Sequence, residues 1–224
     1  MKLTPEELQW IEKRMGWYTI RYQEIYDEIL DHIITAIEVK RATGDNRPID
    51  VVFQNVIDSN FNGYQGIEDI VLSHIKSFQR KIKNSLRANY RYYINWQSLI
   101  FTTLLIVIAG FYVPAGKTTF TIMIISIYIG ALIPFVYAAL SSRKIKIAKG
   151  KRSIIKGYIL MHANGLIFTL YPIFQLIKWG KESAPLFLKP FLYYPVIYLV
   201  LFYVFAIYGL SVIRLCKQEF KIAV

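Results

Sequence analysis

Two groups of residues have types and spacings that suit chemistry. Glu28, Asp31 and His32 stand within one helical turn, and an acid and an imidazole at i, i+4 can share a proton or a metal. A metal needs further ligands, and the nearest other histidine, His74, falls on a different helix. A helix-surface salt link or a contact with a neighbouring helix accounts for the pair, and His32 stays open as a pH switch. His162, Asn164 and Gln175 form the second group, inside a long apolar run where polar side chains are expensive and often functional. Interhelical hydrogen bonding and the lining of a ligand pocket are both open readings for them. Gly116-Lys117-Thr118 is too short for a phosphate-binding loop, and no dinucleotide fingerprint, nucleophile elbow or kinase signature occurs. Cys216, the single cysteine, allows no internal disulfide and no cysteine-based zinc site. It suits either palmitoylation or the role of an ordinary interfacial thiol. An enzyme reading therefore has no named catalyst, and neither a cofactor nor a metal is expected.

The elements that must position these groups are set by hydropathy. Four apolar runs, 96–113, 120–140, 154–177 and 192–213, approach or exceed the ~17–25 residues that a helix needs to cross a bilayer. No Asp or Glu lies within them, which speaks against a proton-coupled transporter or an intramembrane carboxylate enzyme. Pro134, Pro172 and Pro195 lie inside or near span ends, where a helix is expected to bend. The fourth run is rich in tyrosine. Tyr193 and Tyr194 suit an outer interfacial belt, whereas the deeper hydroxyls need partners from other spans or from a second copy, leaving a homo-oligomer open.

Charge divides the chain in two. Residues 1–75 carry 7 basic and 13 acidic side chains, and residues 76–224 carry 20 and 2. The positive excess thus belongs to the apolar half, where topology and anionic lipid explain it, and direct nucleic-acid binding is not expected. Fifteen basic residues flank the spans on one side, against Lys117, Lys178, Lys181 and Lys189 on the other. This asymmetry predicts a multi-pass protein of the bacterial inner membrane with both termini in the cytoplasm. The start of the chain has no apolar core stretch, so the first span is expected to serve as the targeting element.

The first 75 residues predict a small helical domain. Thr4-Pro5-Glu6-Glu7 is a capping-box start with proline in the first turn. A second helix over 20–42 places Ile25, Ile29, Ile33 and Ile37 on one side, with Glu24, Asp27, Asp31 and Glu38 on the other. A third begins after Pro48 and breaks at Asn60-Phe61-Asn62-Gly63. The fourth starts near Gln65 and is expected to run into the first span. It carries an apolar stripe from Ile67 to Leu86 and, opposite, the basic stripe Lys76, Arg80, Lys83, Arg87 and Arg91. That stripe suits contact with lipid headgroups, or a collar that only fixes topology. The reading is all-α: a cytoplasmic helical domain at 1–75, a basic linker at 76–95, a four-helix transmembrane bundle at 96–215 and a cytoplasmic tail at 216–224.

The run LTPEELQWIEKRM, then YQEIYDEILDHIITAIE, then a third helix ending in FNGYQGIEDI, resembles the HAAS domain. This all-helical module stands at the cytoplasmic N-terminus of bacterial membrane proteins. The likeness covers roughly residues 3–75 and is closest to Bacteroidetes-type versions with a Glu-Leu-Leu-Asp-His-Ile type motif, filled here by Glu28, Ile29, Leu30, Asp31, His32 and Ile33. Ile34-Thr35 stands where related sequences often have a pair of small residues, and the third helix is less alanine-rich. Such modules are often encoded beside PadR-like transcription regulators. The resemblance thus implies a regulatory or sensory role and a protein partner, a PadR-like regulator among them. The acidic face of Glu24, Asp27, Glu28, Asp31 and His32 is the expected partner surface. The function expected is a non-enzymatic membrane regulator, and the alternative is a subunit or scaffold of a larger membrane complex, with transport among its tasks.

Overall fold

The computed structural model describes residues 2–114, 116–183 and 195–222. These form eight helices: α1 (Pro5–Met15), α2 (Gln23–Ala42), α3 (Ile49–Phe61), α4 (Gly63–Tyr93), α5 (Trp96–Tyr112), α6 (Lys117–Ser142), α7 (Ile154–Ser183) and α8 (Pro195–Ile222). There is no strand among the described residues, only a single bridge between Tyr22 and Arg152. The chain divides into two compact units. One comprises residues up to Arg80 together with Ile147–Ile154; the other comprises Lys81–Lys146 and the described residues from Ile155 onward.

In the first unit local chemistry starts and stops each helix. The Glu7 N–H donates to the Thr4 hydroxyl at 3.3 Å, and the Thr4 N–H donates to the Glu7 carboxylate at 3.1 Å, completing the capping box. The other Glu7 oxygen pairs with Arg41 at 2.7 Å, and Arg41 also donates to the carbonyls of Asp45 and Arg47. One guanidinium thus ties α1 to the turn after α2. Asn62 ends α3 in the left-handed region, φ 55°, and Gly66 lies so close beneath that turn that a Cβ would stand 1.7 Å from the Phe61 carbonyl oxygen. Ile11, Met15, Ile25, Ile29, Ile33, Ile37, Phe53, Ile57 and Ile67 are buried together as the 3.6-residue pattern predicts. Burial of each such side chain contributes on the order of 1.5–3 kcal/mol before entropy is counted.

In the second unit α8 is the central helix. It packs on α5 and α6, and the buried cores that contain it also include Ile82 and Leu86 of α4, Ala138 of α6 and Ile159, Ala163, Leu166 and Leu170 of α7. Three helical stretches, Thr118–Ser142, Ile154–Gln175 and Pro195–Phe220, are long and apolar enough to cross a membrane, yet only 22–33 % of their apolar windows is buried within the chain. So much exposed apolar surface is unfavourable in water and ordinary in lipid. The first predicted span is the shortest. With 17 residues α5 rises about 25 Å at ~1.5 Å per residue, at the lower end of the ~17–25 residues that a crossing helix needs. Together with α4, from which it is bent by 60°, it makes the fourth candidate span.

That bend replaces the uninterrupted helix expected from the sequence. The Ser98 N–H donates to the Asn95 side chain at 2.7 Å, an N-cap that starts a new helix, and the Ser98 hydroxyl donates back to the Tyr93 carbonyl. The stretch expected as a tail continues α8 to Ile222, with Cys216 and Phe220 buried and Glu219 only 4 % exposed beside Lys81 at 2.9 Å. Pro134 and Pro172 lie within continuous helices and Pro195 heads α8. Lys189, Tyr193, Tyr194 and the expected start of the fourth span at 192 lie outside the described residues.

Candidate functional site

The acidic face of α2 meets the connection between α6 and α7, which belongs to the first unit. Gly150, at φ +86°, closes a turn in which the Lys151 N–H donates to the Ala148 carbonyl. The next residues pair with the start of α2. The Arg152 N–H donates to the Arg21 carbonyl and the Gln23 N–H donates to the Arg152 carbonyl, both at 2.9 Å. Lys151 Nζ donates to the Ile20 carbonyl at 2.7 Å and lies 3.9 Å above the Tyr26 ring. Burial pushes the Lys151 ammonium below its ordinary pKa, against the opposing charge of Asp27. Burial likewise raises the Tyr26 phenol, helped by the carboxylates of Glu12 and Asp27.

Glu24 completes this joint. Its carboxylate accepts from the Ser153 hydroxyl and, at 3.1 Å, from the N–H of Ile154, the first residue of α7. A side chain 130 positions earlier in the chain therefore caps a predicted membrane span, placing negative charge where the helix dipole favours it. Nothing local to Glu24 signals this role, since a carboxylate on the polar side of an amphipathic helix ordinarily faces water.

The other predicted surface residues are divided by the fold. Glu28 pairs with His74 of α4 at 3.1 Å and not with His32 one turn along its own helix. The neighbouring-helix alternative is the one realised. Asp27 accepts from Gln23 at 2.6 Å and remains exposed, as do Asp31 and His32. In the same unit α4 and the α1–α2 connection line a groove of about 270 Å³ that includes Tyr18, Tyr64, Glu68 and Leu72, with the Tyr18 and Tyr64 rings stacked at 5.5 Å. Leu72 is 54 % exposed there, an apolar side chain without cover inside the first unit.

Lys76, Arg80, Lys83, Arg87 and Arg91 are all exposed along α4, and none forms an ion pair among the described residues. Lys81, off the stripe, pairs with Glu219. Asn89 is 3 % exposed and donates to Gln218 at 2.9 Å, so the inward side of α4 in the second unit is joined to α8 by polar as well as apolar contacts.

Of the intramembrane group, only His162 is brought to a partner: its Nδ1 lies 3.1 Å from the Tyr208 hydroxyl on α8. Asn164 is partly buried elsewhere on α7, and Gln175 is exposed. Tyr203 reaches Ser98 of α5 at 3.4 Å, so two of the deeper tyrosines of α8 find their partners on other helices of the same chain. Among the described residues no three histidine, cysteine or carboxylate side chains gather as a metal site would require. Comparison with known proteins adds no relative: no family model, curated protein or solved structure matches the chain.

Proposed function

We propose that this chain is a membrane-anchored regulatory protein, whose acidic helical unit faces the cytoplasm and binds a protein partner. Its apolar helices hold it in the bacterial inner membrane with both termini inside. The observation that carries this reading is the joint at Glu24. The α6–α7 connection is folded into the N-terminal unit, so movement of α6 or α7 acts on the start of α2 through hydrogen bonds rather than through a free loop. A simple anchor needs no such device. The basic placement, with Arg143, Lys144, Lys146, Lys149 and Arg152 on this connection, supports the orientation. The exposed basic stripe of α4 adds contact with anionic headgroups, at ~1 kcal/mol per residue near the surface.

Asp31, His32 and the groove beside Leu72 remain available to a partner, whereas Glu24 and Glu28 are engaged within the chain. The test is cross-linking of the intact protein in its own membrane, followed by mass-spectrometric mapping of the linked sites. A soluble regulator linked through α2 or α4 is the expected result. Links confined to α5–α8 and reaching another integral membrane protein would instead assign a scaffold or subunit role.

A further inference from the structure

His162 of α7 and Tyr208 of α8 form a polar pair, and Tyr208 also forms part of the wall of a groove of about 470 Å³. The groove lies within the second unit and is lined by Tyr90, Gly165, Leu166, Thr169, Phe205 and Tyr208, with Ile173 and Val204. Its volume falls in the range of small-molecule sites. On α7 the positions 162, 165, 166, 169 and 173 share one face, as 204, 205 and 208 do on α8. The space beside Gly165 is open: a Cβ there would meet nothing within 4 Å.

Three features of the lining select the occupant. No charged side chain is present, although basic residues crowd the ends of these helices, so the site favours a neutral molecule. Three of the eight lining residues are aromatic, a surface that suits a flat ring. The phenol–imidazole bond also leaves the Tyr208 oxygen able to make a second hydrogen bond. If Nδ1–H donates to the phenol, the hydroxyl hydrogen is available to a carbonyl; if the hydroxyl donates to Nδ1, its oxygen can accept from an O–H. Exchange of imidazole tautomer thus serves an oxygen in either its carbonyl or its hydroxyl form. A phospholipid acyl chain would use the apolar wall but leave the second hydrogen-bonding position of Tyr208 unfilled.

We propose that the groove binds a neutral, bilayer-dissolved molecule with a flat oxygen-bearing ring, the chemical class of the lipid quinones and quinols, with the ring oxygen hydrogen-bonded to Tyr208. The proposal rests on the membrane placement of α7 and α8 and is independent of what the N-terminal unit binds.

The test uses the full-length protein in phosphatidylcholine–phosphatidylglycerol nanodiscs with a photoreactive azido-quinone, the labelled peptides being mapped after irradiation. Labelling should concentrate in residues 158–175 and 200–210 and be competed by decylubiquinone but not by decanol. Gly165→Leu, which projects a branched side chain into the groove, should reduce labelling by about tenfold or more, whereas Ile129→Ala on an exposed face of α6 should leave it unchanged. Tyr208→Phe keeps the ring and should weaken competition by roughly threefold to tenfold, the value of one hydrogen bond. It provides the reading should Gly165→Leu fail to fold. Labelling spread over all spans, equal competition by decanol, or competition indifferent to Tyr208→Phe would overturn the proposal.

Discussion

At the scale of single residues, backbone proximity and charge make two positions decisive. Gly66→Ala would place a methyl group 1.7 Å from the Phe61 carbonyl oxygen, and backbone cannot yield as a side-chain tip can. The variant should lose about 1–3 kcal/mol of stability, read as a lower unfolding midpoint of the first unit. Asp45 is the second. Hydrogen bonds from Arg47 hold its carboxyl down from the ordinary 3.8 to about 2. A depressed acid contributes stability above its unfolded pKa and loses it as pH falls through the folded one. The turn between α2 and α3 should therefore loosen between about pH 4 and pH 2. A carboxyl titration followed by NMR should place Asp45 near 2 and move it toward 3.8 in Arg47→Ala. The residue-scale signals in the sequence were uneven. The Thr4 capping box is a contiguous pattern and was legible; Glu24 was legible only as an acid on a polar face, because both its partners lie about 130 positions away.

At the scale of elements, hydrophobic period explains why α1–α4 were readable and where reading failed. Isoleucine at every fourth position of α2 fixes its buried side, and the same period continued through Ile82 and Leu86 shows that α4 has one. The break after Tyr93 was hidden because Asn95 and Ser98 sit between two helix-compatible stretches, and their capping bonds outweigh continuity. The end of α8 was hidden for a different reason. Lys217 and Glu219 look like part of a solvated tail, but Glu219 is neutralised by Lys81 on a distant part of the chain. The opposite side of α4 carries its own prediction. Replacing Lys83, Arg87 and Arg91 by Gln should reduce the number of phosphatidylglycerol molecules retained by the purified protein in native mass spectrometry. Retention equal to that of the unaltered protein would reduce the stripe to a topological collar.

At the scale of the whole molecule, charge asymmetry and exposed apolar helices make two separable claims. Topology is tested by cysteines placed singly at Lys117, Lys149 and Lys181, with the native thiol of Cys216 buried. A membrane-impermeant reagent added from outside should modify those at 117 and 181; modification at 149 would reverse the orientation. The central claim is that the α6–α7 connection is a structured part of the N-terminal unit, held by Glu24 and Lys151. Hydrogen exchange on the full-length protein in nanodiscs reads it directly. Slow exchange is expected at Gln23, Arg152 and Ile154 in the unaltered protein, with all three accelerated in Glu24→Ala; exchange across 147–154 as fast as in an unstructured loop, and unmoved by that substitution, would contradict the structured connection.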